Sequence, residues 1–220
     1  MPVTIAGMTL SILLSLALAP LDREYGLRRV VVSTYQAISG AGRRALETLR
    51  RESTADPGPN VTGEAVPLAF NAIPAIGAAE PLADGEGWTT GEEAKVVAET
   101  QRILGRPGLP ITATCVRIPV LRAHSESVMV ETERPLGSVT EVQEVLAAAE
   151  GVELRDALDQ GTFPHPRAAA GIDGIHVGRV RRLGDSLSFF LVGDQLRKGA
   201  ALNAVQIAEL HWRRGPRVLG

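Results

Sequence analysis

One arginine and one histidine stand seven residues apart in "TATCVRIPVLRAHSESVMVET", Thr112 to Thr132. Arg117 and His124 are the types that hold and then work on a small charged substrate. A guanidinium is a permanently charged, bidentate partner for a carboxylate, and an imidazole moves protons near neutral pH. The segment around them alternates like a strand. Seven is an odd spacing, so on one unbroken strand the two side chains would face opposite sides of the sheet. A bend or bulge at Pro119 would bring both to one cavity. Spacing alone makes Arg117 a surface residue and His124 a strand-end histidine.

Glu92 and Lys95 are a second pair, three apart on a helix face. They suit an anion at a helix start, or else a solvated ion pair worth about 0.2–0.5 kcal/mol, which spacing alone favours. Cys115 is the single cysteine. It lies two residues before Arg117, on the same strand face, and reads as a buried apolar filler rather than a nucleophile. No internal disulfide is possible, which suits a reducing compartment, and no metal site is expected.

The chain has 220 residues, 45% of them hydrophobic, and a net charge of -2, which excludes wholesale disorder and allows a sizeable core. Lys and Arg are scattered, so neither a nucleic-acid groove nor an anionic membrane surface is suggested. "MPVTIAGMTLSILLSLALAPL" has the apolar core of a leader peptide and ends in Ala17-Leu18-Ala19. It lacks a preceding basic residue and is too short to span a bilayer, so a buried helix in a cytoplasmic protein is the expectation.

The elements that must position these residues follow in order. A helix apolar nearly all round runs from about Thr9 to Arg23, and a β-branched strand from Leu27 to Gln36. The turn "AISGAG" and the helix "RRALETLRRE" come next. Ser53 to Pro67 has loop composition, with an Asn60-Val-Thr62 acceptor pattern read as a plain surface turn. Thr89 to Gly105 reads as a helix with a Thr90 N-cap, acids in its first turn and a closing glycine. Strands follow at about Ile111–Val120 and Glu126–Glu133, then a helix near Val139–Ala149, the strands "IHVGRVRRL" and "SLSFFLVGDQL", and a helix from Lys198 to Arg213. The last helix has too many apolar positions for one narrow stripe and wants a partner on more than one side. Strands and helices do not alternate strictly, so an α+β fold with a mixed, largely antiparallel sheet is predicted.

Six segments in order, "VVVSTYQAISGAG", "LAFNAIPAIG", "GEEAKVVAETQRILG", "ATCVRIPVLRAHSESV", "VGRVRR" and "DQLRKGAALNAVQIAEL", resemble the aspartate-β-semialdehyde dehydrogenase family over nearly the whole chain. The resemblance implies a C-terminal domain of the glyceraldehyde-3-phosphate-dehydrogenase type, with helices on one face of its sheet. It also implies NADP-dependent interconversion of aspartate semialdehyde plus phosphate and 4-aspartyl phosphate, on the way to lysine, methionine and threonine. By family position Arg117 binds the substrate carboxylate, His124 is the acid/base, and Gln36 stands beside the nucleophile. Glu92 and Lys95 bind phosphate, Ser39 and Gly40 line the cofactor, and Asn203 lies near the nicotinamide. A homodimer is implied. Residues 1–197 would form the catalytic and dimerisation domain, with a loop at 53–66, and residues 198–220 a helix that packs back on a nucleotide-binding domain.

Two departures limit this. The family opens with a nucleotide-binding domain that this sequence lacks, so tight NADP binding by the chain alone is not expected. Counting back from Gln36 by the family's spacing, the nucleophilic cysteine falls on Thr9, whose hydroxyl cannot stand in for a thiolate at neutral pH. The chain is therefore expected to be incomplete or inactive alone, as half of such an enzyme or as a non-catalytic oligomerising subunit derived from the family.

Overall fold

The structure, a computed structural model, describes residues 9–55 and 66–214; the Asn60-Val-Thr62 pattern and the first eight residues lie outside them. Its centre is a six-stranded sheet in the order β4-β1-β5-β8-β7-β6. These strands are β1 (Leu27–Gln36), β4 (Ile111–Arg117), β5 (His124–Thr132), β6 (Val152–Leu154), β7 (Ile175–Leu183) and β8 (Ser186–Gly193). β1/β5, β5/β8 and β7/β8 are antiparallel, whereas β1/β4 and β6/β7 are parallel. The mixed, largely antiparallel α+β prediction holds. The short hairpin β2 (Ala79–Pro81) and β3 (Trp88–Thr90) stands apart and was not predicted.

Three helices cover one face. α1 (Thr9–Tyr25) packs on α3 (Gly91–Leu104), α4 (Val139–Ala147) and the strands beneath. Leu10, Leu13, Leu14, Ala17, Leu18 and Leu21 of α1 meet Val30, Val32, Val128, Val130, Phe189 and Leu191 of the sheet in one core. α1 is buried on most of its surface because it lies between the sheet and two other helices, which is why its sequence shows no polar stripe. α3 begins with a full capping box, Thr90 and Glu93 satisfying each other's backbone N–H, and ends at Gly105 in the left-handed conformation, as its sequence predicts.

Helices are not confined to that face. The four-residue α5 (Pro166–Ala169) covers one end of the opposite face, where Ala169 packs on Ala123 and Val192. The rest of that face, with Val31, Tyr35, Met129 and Phe190, is half-exposed, and the Tyr35 and Phe190 rings lie 6.0 Å apart. α2 (Arg43–Ser53) follows a 3₁₀ turn at Ile38–Ala41, and α6 (Leu202–Arg214) follows a π turn at Arg197–Ala201. Several boundaries differ from the sequence expectation: β8 ends at Gly193 rather than Leu196, and α6 starts at Leu202 rather than Lys198. β4 stops at Arg117 because Pro119 has no N–H to continue the ladder, and β5 begins two residues early, at His124.

Glu126 is the discordant core residue. It lies on the helix-covered face of β5, between Thr34 and Leu191 on the neighbouring strands, fully buried, and neither of its carboxyl oxygens has a partner. Burial raises its pKa well above the ordinary value, so the native chain keeps a proton there that the unfolded chain releases above about pH 4.3. With more protons bound in the native state, stability falls as pH rises. Glu126→Gln is expected to remove that slope and to stabilise the chain at pH 8.5 by on the order of 1–3 kcal/mol, with little change at pH 4. Urea midpoints of both proteins at the two pH values check this, and an equal gap at both would contradict a neutral Glu126.

Candidate active site

Four neighbouring strands bring one rung of residues to the helix-covered face. Gln36, at the end of β1, pairs with Arg117, at the end of β4. On the other side of β1, Tyr35 pairs with Ser125, so His124 stands on the next rung beside Gln36 and pairs in turn with Gly193 of β8. The rung reads Arg117, Gln36, His124, Gly193. A Cβ at Gly193 would come within 2.6 Å of Leu13 Cδ2, so the glycine lets α1 sit down beside the site.

Arg117 and His124 therefore do not share one bent strand, and the expectation from their odd spacing is corrected. They end one strand and begin another, on either side of β1. The connecting residues 118–123 cross the end of β1: Ile118 N donates to Gln36 O at 3.1 Å, and Ile38 N donates to Val120 O at 2.8 Å. Side-chain parity restarts in β5, so spacing along the chain carries no information about which face His124 takes.

The Ala37 peptide groups fix both side chains. Ala37 N donates to His124 Nδ1 at 2.9 Å, and Arg117 Nη1 donates to Ala37 O at 2.7 Å. A ring nitrogen that accepts carries no proton, so the neutral imidazole carries its proton on Nε2. Burial, and secondly the Arg117 charge, push the His124 pKa down to about 3 against the pull of Asp194, so the ring is neutral at working pH. A Cβ at Gly40 would lie 3.3 Å from His124 Nε2 and 3.6 Å from Arg117 Nη1. Both polar ends thus converge against a residue with no side chain.

They open on a cavity of about 640 Å³ that Thr9, Gln36, Ser39, Gly40, Glu92 and Asn203 help to line. Gln36 Nε2 donates to Glu92 Oε1 at 3.2 Å, while Gln36 Oε1 is buried without a partner and is free to accept from a ligand. Among the described residues no carboxylate forms an ion pair with Arg117. Burial lowers its pKa and the nearby Glu92 charge raises it. A half-buried cation without an ion-paired carboxylate is chemically suited to take up an anion.

Lys95 is not brought in. It is exposed and does not line the cavity; three helical residues turn the chain about 300°, which leaves it some 60° round from Glu92 toward solvent. Cys115 is fully buried. Burial pushes its thiol up to about 12, so it is the inert filler its setting in the sequence suggests. Thr9 opens α1 at the cavity, its hydroxyl donating to Gly199 O at 3.3 Å.

Sequence reasoning missed Gln195 and Ala123. Gln195 follows β8, buried, and lines the cavity. Its Oε1 accepts from Ala123 N at 2.9 Å, and its Nε2 donates to Ser39 Oγ. Ala123, next to His124, has φ 72°, a left-handed conformation that costs a non-glycine residue about 1–2 kcal/mol. Gln195 stood inside the expected last strand and inside the family-like segment "DQLRKGAALNAVQIAEL", and neither reading singled it out.

The family model for the semialdehyde dehydrogenase dimerisation domain matches residues 18–198. The chain belongs to this family. It is 46% identical to the aspartate-semialdehyde dehydrogenase of Prochlorococcus marinus over 206 residues, covering 91% of this chain and 58% of that protein. It is 41% identical to that of Bacillus subtilis, covering 88% and 58%. The crystal structure of aspartate semialdehyde dehydrogenase II from Vibrio cholerae superposes with a TM-score of 0.83 at 37% identity, over 96% of this chain and 62% of that one. A second structure of that enzyme, with equal scores, is complexed with ASA. The chain thus spans less than two thirds of the proteins it matches. Among the described residues no helix is long and apolar enough to cross a membrane.

Proposed function

We propose that the chain is the catalytic and dimerisation half of an aspartate-semialdehyde dehydrogenase. Such a half serves the NADP-dependent interconversion of aspartate semialdehyde plus phosphate and 4-aspartyl phosphate in cytoplasmic lysine, methionine and threonine biosynthesis. The observation that carries this reading is the rung that delivers Arg117, Gln36 and His124 to one cavity. Arg117 holds the substrate carboxylate through the guanidinium edge left free by Ala37. Gln36 Oε1 accepts from the substrate amine. His124 Nε2–H donates to the carbonyl oxygen as negative charge develops there, and a neutral ring does this without carrying charge into a buried site.

NADP+ would supply the hydride acceptor. Ser39, the bare edge of Gly40 and Asn203, with the apolar wall of Leu10, Ile12 and Ile207, fit the flat nicotinamide end. The phosphates are left to a separate nucleotide-binding domain. The exposed Val205, Leu210 and Trp212 of α6 would pack on that domain, with α6 as its docking helix. The half-exposed face of the sheet would be covered by a second copy.

A second reading, a non-catalytic binding or oligomerising subunit, is favoured by Thr9 where the family places its nucleophile. Calorimetric titration with aspartate semialdehyde, and absorbance of reduced nicotinamide in a mix with NADP+ and phosphate, separate the two. Binding without turnover is the expected result for the chain alone. Absence of binding would overturn the catalytic assignment and leave the subunit reading.

A further inference from the structure

We infer that Gln195 is the positioning residue of this site, closing a ring of hydrogen bonds that fixes the orientation of the His124 imidazole. The ring runs from His124 Nδ1 to Ala37 N, along the chain to Ser39, across the Gln195 carboxamide, and back through Ala123 N to His124. Backbone bonds from Ile38 N to Val120 O at 2.8 Å and from Ser39 N to Leu121 O at 3.2 Å already join the turn after β1 to the segment leading into β5, and the Gln195 carboxamide adds the tie nearest His124, through Ser39 Oγ and Ala123 N. Glutamine suits the role because one planar group both accepts from a peptide N–H and donates to a hydroxyl.

The carboxamide is itself aimed. Asp194, fully buried next to it, accepts from Gly171 N at 2.6 Å and Leu196 N at 2.9 Å and pairs with Arg122 at 2.7 Å. The backbone at 194–196 is held on several sides. On the far side of the ring Ala123 is buried and left-handed. Without Gln195 its N–H would lose its one partner among the described residues and relaxation toward ordinary φ would swing the next residue, His124. That His124 serves the reaction rests on the function proposed above, whereas the hydrogen-bonded ring does not.

The test is the ¹⁵N spectrum of the imidazole in the 220-residue chain, which needs neither cofactor nor turnover. At pH 7 the native protein should show Nδ1 bare and Nε2 protonated, as two widely separated ring shifts. In Gln195→Ala the two shifts should collapse toward their mean, as the ring leaves Ala37 and samples both tautomers. Adding Ala123→Gly, which removes the backbone cost, should restore part of the separation; a general loss of packing would not be rescued by glycine. Gln195→Glu, nearly isosteric, covers the case in which the alanine variant does not fold. Its carboxylate joins Asp194 and opposes Arg117 around the ring, so the His124 titration midpoint should rise by at least one unit. Unchanged ring shifts in Gln195→Ala, no rescue by glycine, or an unmoved titration in Gln195→Glu would each overturn the assignment. None of these results depends on whether the chain binds aspartate semialdehyde, so failure here is distinct from failure of the proposed function.

Discussion

Replacing Arg117 with alanine is expected to weaken binding of aspartate semialdehyde by roughly 30-fold to several thousand-fold, the equivalent of about 2–5 kcal/mol for losing one member of a buried charge pair. The size follows from the setting. The guanidinium is half-buried, one nitrogen is spent on Ala37 O at 2.7 Å, and no carboxylate of the described chain competes for the rest. Its loss leaves the ligand carboxylate in a part-apolar cavity with a neutral histidine and the Glu92 carboxylate for company. Arg117→Lys should fall between, because an ammonium cannot hold Ala37 O and a bidentate carboxylate at once. Calorimetry on the wild-type and both variants reads the effect. An unchanged affinity in the alanine variant would place the substrate carboxylate elsewhere and remove the main support for the proposed function.

The second large effect concerns position 9. A cysteine there would stand in the first described turn of α1, at the cavity, where the helix dipole favours a thiolate. Helix N-terminal thiols have pKa values of about 3.5–7.5, so about half or more would be ionised at pH 7.5, whereas Cys115, pushed up to about 12 by burial, would be ionised in only about one molecule in 30,000. Thr9→Cys is expected to alkylate with iodoacetamide at position 9 at least about a thousand times faster than the native chain does at Cys115. Peptide mass mapping after timed quenching measures both sites. If position 9 labels no faster than Cys115, this helix end does not activate a nucleophile, and restoring the family's residue would not restore its chemistry.

Several features were legible in the chain because their causes are local. Thr90, Glu93 and Gly105 bound α3 through caps that involve only residues within a turn of each other. Alternating β-branched residues defined β1 from Leu27 to Gln36 and β7 from Ile175 to Leu183. The residues gathered in the cavity, Gln36, Ser39, Gly40, Glu92, Arg117, His124 and Asn203, came from the family resemblance and not from spacing, which had made Arg117 a surface residue. Lys95 came from the same resemblance, yet it is exposed and outside the cavity, the solvated setting that spacing alone had favoured; about 60° of rotation separates it from the lining residue Glu92.

The sequence by itself determined the types of the long elements, the caps of α3 and the inertness of a cysteine in an apolar strand, because each depends on near neighbours in the chain. Tertiary structure alone decided that Arg117 and His124 meet. Their meeting depends on two strands flanking β1 in register, on a glycine at 193 that admits α1, and on the Ala37 peptide groups that both side chains grip. Pairing register and backbone hydrogen bonds across 80 or more residues leave no periodic trace in a sequence, which is also why Gln195 was visible only in the folded chain.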